Sequence, residues 1–196
     1  MNKSRLEAFS DGVFAIIITV MILELKIPEG TSWELIKPVF PKFLCYVLSF
    51  VYIAIYWGNH HHLMHTVKKI NAAIIWANMH LLFWLSMVPF ATGWMGVTNF
   101  DKLTVAAYGT LLITCGISFS LLRRSIQSTY KEETALTKAL AKGNKKELIS
   151  TVLYGASIPI ALFVHPAISA VIFATVAIMW LVPSKEIEHV LETEEH

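Results

Sequence analysis

Long uncharged stretches recur along this chain, separated by short charged breaks. No charged residue occurs between Phe43 and Val67, between Ile70 and Phe100, or between Leu103 and Leu122. A membrane-spanning helix needs about 20 mostly apolar residues, so each stretch predicts one span. The run from Leu148 to Ser184 is uncharged for 37 residues and contains His165-Pro166. The residue before a proline is pushed out of the helical region, which divides this run into two short spans around a tight turn. With the segment that opens the chain, the pattern predicts six spans, at roughly 5-27, 42-66, 70-97, 102-125, 148-164 and 167-183. The expectation is an all-α integral membrane protein folded as a single domain over residues 1-196.

The first segment, RLEAFSDGVFAIIITVMIL at residues 5–23, is unusual because an acid lies inside it. Ser4-x-x-Glu7 fits a capping box, which predicts a helix start near Arg5. Pro28 and Gly30 predict a stop before them. At about 100° per residue from Arg5, the positions Gly12, Ile16, Thr19 and Leu23 all fall within about 40°. Phe9 and Val20 flank that stripe, while Asp11 lies about 120° away and Ser10 about 140° away on the other side. One face is thus nearly apolar with a single hydroxyl, and a separate face carries the acid. An ionisable residue in a span is costly and pairs with a neighbour or faces water, so Asp11 is expected to clamp helices near the inner end. Periodicity alone reads the Ile and Leu stripe as ordinary packing or lipid contact.

Composition strengthens the membrane reading. Hydrophobic residues make up 55% of the chain and charged residues 15%, against about 25% charged in soluble domains. Acids near the start and the lack of a small-residue cleavage site argue against a cleaved signal peptide. The two cysteines, Cys45 and Cys115, lie in apolar runs and form no CxxC knuckle. With a cytoplasmic N-terminus, twelve of the sixteen Lys and Arg fall on the inner side and four on the outer. The positive-inside rule then puts both termini in the cytoplasm. The longest connection, 125–147, is expected to be helical in part, as a solvated extension of span four ending at Gly143. The acidic tail 184–196 is expected to fray. No internal duplication is present.

Span two ends in YWGNHHHLMH, residues 56–65. His61 and His65 are spaced i, i+4, and His62 and His65 i, i+3, which can hold a metal. Yet no Asp or Glu occurs in spans two or three, and HExxH is absent. A hydrogen-bond network that takes in Asn78 and His80 is the stronger expectation, since buried polar groups must be satisfied. Span two ends at the depth where span one begins, so Asp11 is expected to meet a histidine.

Arg5-x-x-x-Phe9-Ser10-Asp11, running straight into an apolar helix, resembles the RxxxFSD motif of the endosomal and lysosomal potassium channel family, the transmembrane-protein-175 type. Trp57-x-x-His60-His61 in span two, and Asn78 with Pro89-Phe90 in span three, extend the resemblance. So do the six spans and the cytoplasmic termini. Animal members carry two six-span repeats; this chain carries one, which resembles the prokaryotic, homotetrameric form. Closed cyclic symmetry suits a central pore. No TVGYG loop is present, which excludes a carbonyl filter of that type.

The resemblance implies that span one lines the pore, with Ile16 at a hydrophobic constriction, Thr19 one turn outward and Leu23 beyond. It implies a structural motif network of Arg5, Phe9, Ser10, Asp11, Trp57, His60, His61 and Asn78. The implied function is a potassium-selective cation channel rather than an enzyme. It needs no cofactor, only permeant potassium, and its partners are its own copies and the lipid bilayer, with no nucleic acid. The implied location is a prokaryotic plasma membrane. Two alternatives stand beside it. One is a cation- or proton-coupled secondary transporter, for which Pro89 and Pro159 could break spans. The other is a metalloprotein built on His60, His61, His62 and His65.

Overall fold

A computed structural model of the chain describes residues 2–130 and 135–181. Every element among the described residues is α-helical: α1 (Lys3–Leu23), α2 (Trp33–Ile36), α3 (Val39–His65), α4 (Ala72–Ser86), α5 (Val88–Val97), α6 (Lys102–Gln127), α7 (Ala135–Phe163) and α8 (Pro166–Leu181). Five stretches are long and apolar enough to cross a membrane: α1, α2 with α3, α4 with α5, α6, and residues Lys145–Phe163 of α7. α8 is as apolar but shorter, at 16 residues. The chain is a multi-pass membrane protein.

α1 starts two residues before the expected position. The Asn2 side chain accepts from the Arg5 N–H at 3.0 Å, so Asn2 is the cap and Ser4 lies in the first turn. Asparagine is as strong a cap as serine, and here it comes first in the chain. The helix also ends early, at Leu23. Glu24 N–H and Leu25 N–H donate back three residues, to Met21 and Ile22, a tightening typical of a helix end.

Span three is broken where 70-97 was expected to run through. Met87 closes α4 and caps α5, with Pro89 in the first turn of the new helix. Proline lacks an N–H and its ring clashes with the carbonyl four residues back, here that of Leu85. The ladder resumes when Ala91 N–H donates to Met87 at 3.1 Å. Pro159, by contrast, sits inside an unbroken α7. α6 enters the 125–147 connection only as far as Gln127; the longer helical part, from Ala135, is continuous with α7 and runs through Gly143. The acidic tail lies outside the described residues.

α6 is buried along most of its length and packs against α4, α5, α7 and α8. α1 lies on the other side of the bundle, against α3, α4 and α5. Polar groups in a membrane interior must find partners inside the protein. The buried hydroxyls do so: Thr92 donates to the Val88 carbonyl at 2.7 Å and is bonded to Ser49 Oγ at 2.6 Å, Ser49 and Tyr108 are bonded at 2.8 Å, and Tyr154 donates to Tyr52 Oη at 3.0 Å. Arg123 Nη2 meets Glu147 Oε2 at 2.8 Å and ties α6 to α7. Cys45 and Cys115 are both buried and free.

Candidate functional site

α1 divides cleanly by azimuth. Leu6, Ser10, Phe14, Ile17 and Met21 are buried and recur at intervals of three and four, which puts them on one face. The opposite side carries Gly12, Ile16, Thr19 and Leu23, all exposed; Ile16 is 61% and Leu23 77% accessible. These are the residues singled out by the stripe. A Cβ on Gly12 would meet nothing within 4 Å, so no contact inside the protomer requires glycine there.

The buried face is held by a chain of hydrogen bonds whose direction is forced. Asn78 Oδ1 can only accept, so His60 Nε2, 2.7 Å away, carries a proton and donates. Asn78 Nδ2 donates to Ser10 Oγ at 3.0 Å, and Ser10 donates to the Leu6 carbonyl at 2.8 Å. His60, Asn78 and Ser10 are all buried, at 1% accessibility or less. The His60 ring also packs on Phe14, with centroids 5.5 Å apart. Three helices are thereby locked together: α3 through His60, α4 through Asn78 and α1 through Ser10.

Asp11 belongs to a second, more exposed set. Its Oδ1 accepts from the Trp57 indole N–H at 2.9 Å. The expected histidine partner is therefore replaced by an indole one turn earlier on α3. Trp57 stacks on His61, and the His61 ring stands edge-on to His65 at 4.5 Å. Lys3 Nζ donates to the His65 carbonyl at 3.0 Å, which fixes the start of α1 beside the end of α3.

The structure thus joins Ser10, His60 and Asn78 in one set and Asp11, Trp57 and His61 in another. Arg5 and Phe9 make none of these bonds; both side chains lie on the exposed side. His80 accepts from Trp84 Nε1 at 3.2 Å on its own helix. Among the described residues, no three His, Cys, Asp or Glu gather as a metal site would need; His60 turns inward to Asn78, away from the exposed His61, His62 and His65. Sequence reasoning missed the Arg123–Glu147 pair; the signal was two ionisable residues next to predicted spans.

Comparison with known proteins bears on the whole chain. The family model described as endosomal/lysosomal potassium channel TMEM175 matches residues 5–89. A potassium channel of Chryseobacterium sp. (strain P1-3) is 49% identical over 192 residues, spanning 98% of this chain and 99% of that protein. A potassium channel of Streptomyces collinus is 34% identical over 131 residues, 62% of this chain and 64% of its own length. Among solved structures, a lysosomal potassium-selective channel TMEM175 homolog from Chamaesiphon minutus superposes with a TM-score of 0.63. It is 27% identical and the match covers 89% of this chain and 97% of that one.

Proposed function

This chain belongs to the TMEM175 channel family, and on that premise we propose that it is a potassium-selective cation channel in which α1 from each of four copies lines a central pore. It moves ions down their gradient and performs no catalysis. Twelve of the sixteen basic residues support a topology with both termini in the cytoplasm, in a prokaryotic plasma membrane.

The observation that carries the reading is the division of α1. One face is spent on holding the protomer together, and the stripe of Gly12, Ile16, Thr19 and Leu23 has no partner in it. In a four-fold assembly that stripe faces the axis. Gly12 leaves the inner approach wide. Ile16 then presents a ring of hydrocarbon. An ion shedding water to pass it gains nothing in return, and potassium gives up its hydration more readily than sodium. Such constrictions also gate by dewetting.

Thr19 contributes differently. Its hydroxyl donates to the Ile16 carbonyl at 2.9 Å. With its proton engaged inside its own helix, the oxygen is left as an acceptor. Four such oxygens form a ring suited to a partly dehydrated cation, between the hydrocarbon of Ile16 and that of Leu23. From Ile16 to Leu23 is about 10 Å along the axis, enough for a short filter.

Two measurements test this. Mass in nanodiscs is expected to give four copies, and a clean monomer or dimer overturns the pore. Reversal potentials under asymmetric potassium and sodium are expected to show a potassium preference that falls in Ile16→Asn. An amide ring there holds water where hydrocarbon excluded it. Unchanged preference and conductance in that variant place the constriction elsewhere.

A further inference from the structure

On the far side of the bundle from α1, a narrow cavity with an open mouth lies among α3, α6, α7 and α8. No residue of α1 borders it, so it stands apart from the proposed pore. Its walls are the rings of Tyr52, Tyr56, Phe119, Tyr154 and Trp180, together with Ile55. Asn59 and Glu147 mark its shallow end, where α3 finishes and the apolar part of α7 begins. Tyr52 is seven residues back along α3, about 10 Å deeper.

The chemistry is graded along that depth. At the deep end the phenols are engaged: Tyr52 donates to the Phe173 carbonyl at 2.7 Å, and Tyr154 donates to Tyr52 at 3.0 Å. That end offers ring faces. Toward the mouth, Trp180 Nε1 donates to Ser150 at 2.8 Å. Glu147 is bonded by Arg123 at 2.8 Å and also by Ser120, so the pair carries no net charge. Two groups remain. Asn59 donates to the Ile55 carbonyl at 2.8 Å, but its amide oxygen has no hydrogen-bond partner among the described residues, and neither has the Tyr56 hydroxyl. Both border the cavity.

We infer that this cavity binds an uncharged amphiphile, with a hydroxyl head at Tyr56 and Asn59 and an alkyl tail directed toward Tyr52. A hydroxyl both donates and accepts, so it can serve the amide oxygen and the phenol together. A charged head is disfavoured because it would bring an unpaired charge beside an already neutral ion pair. A wholly apolar ligand would leave both polar groups unserved. The mostly apolar wall with a few convergent polar groups is the make-up of a small-molecule site. A site at this depth is supplied from the surrounding bilayer, and it does not depend on whether the chain conducts.

Gly116 provides the means to test it. It borders the cavity, and a Cβ there would first meet the Tyr56 hydroxyl, at 4.0 Å. A leucine at 116 therefore fills the space without moving backbone. The experiment titrates 8-bromo-1-octanol into the full chain in nanodiscs. Bromine quenching of Trp180 is read as the difference from Trp180→Phe. Saturable quenching is expected in the wild type and none in Gly116→Leu. Tyr56→Phe is expected to weaken binding about 3- to 10-fold, the worth of one hydrogen bond. 1-Bromooctane, which lacks the hydroxyl, is expected to quench only in proportion to its concentration. Quenching by the alcohol that is linear in wild type, or unchanged in Gly116→Leu, overturns the site. Equal saturation by bromooctane overturns the hydroxyl head. If Gly116→Leu does not elute as wild type does, the isosteric Tyr56→Phe decides, and an unchanged midpoint there overturns the proposal.

Discussion

On one side of α1, Ser10 gives its proton to the Leu6 carbonyl at 2.8 Å and receives another from Asn78 at 3.0 Å. On the other side, Thr19 gives its proton to the Ile16 carbonyl at 2.9 Å, and its oxygen receives none among the described residues. The two hydroxyls are nine residues apart on one helix and start from the same chemistry. Ser10 is used twice, once to satisfy itself and once to anchor α4. Thr19 is satisfied only far enough to be tolerated in an apolar setting. The difference separates a face that fixes the helix from a face that remains available, and it explains how one helix can carry both tasks. In the proposed pore, the rigidity of the exposed face comes from the bonded face behind it.

The comparison breaks first at Asn78. Asn78→Leu removes the acceptor of His60 and the donor to Ser10, and leaves a buried imidazole N–H facing hydrocarbon. Each of the two groups that lose a partner costs about 1–3 kcal/mol, so a loss of about 2–6 kcal/mol is expected, read from denaturant unfolding in detergent. A change under about 0.5 kcal/mol, the size of an ordinary surface substitution, means the chain of bonds does not hold α1. Ser10→Ala is expected to cost less, about 1–2 kcal/mol, because only the Asn78 donor is stranded.

Asp11 sharpens the same contrast at intermediate size. Asp11 is exposed, and its bond to Trp57 crosses from α1 to α3 at the margin of the packed face. Asp11→Asn keeps an oxygen for the indole, so a stability loss of under about 1 kcal/mol is expected. The ratio of potassium to sodium permeability is expected to stay at its wild-type value. Normal assembly with selectivity abolished assigns Asp11 to the ion path instead.

Much of this arrangement was legible in the chain, and the exceptions have identifiable causes. The stripe Gly12, Ile16, Thr19 and Leu23 follows from helical geometry alone, because periodicity fixes which residues share a face. The all-α membrane fold follows from the uncharged runs. The partner of Asp11 did not follow. A carboxylate suggests a titratable partner, yet the nearest donor is the neutral indole of Trp57, and only the rotation of α3 decides between them. The break at Met87 was concealed in an apolar stretch long enough for one span, with Pro89 as its only sign. The link between Arg123 and Glu147 joins residues 24 apart whose facing depends on how α6 and α7 pack. Local pattern sets faces; which faces meet is a property of the packed whole.

The smallest effect, and the closest test of the two hydroxyls, is at Thr19. Thr19→Val keeps the shape and the branching and deletes only the oxygen. On the fixed face such a loss strands a partner, but Thr19 has none beyond the carbonyl of Ile16, which already serves the helix. Stability is therefore expected to change by less than about 0.5 kcal/mol, in the same unfolding assay that registers Asn78→Leu. The ionic consequence is separate. Without the ring of acceptors, a partly dehydrated cation finds hydrocarbon from Ile16 to Leu23, and potassium conductance is expected to fall. Its preference over sodium should change less than in Ile16→Asn. Thr19→Ser restores the oxygen and is expected to restore the conductance. If Thr19→Val instead destabilises the protein as Ser10→Ala does, the hydroxyl is part of the scaffold and the two faces are not distinct. If conductance is unaltered in both variants, ions do not pass along this stripe.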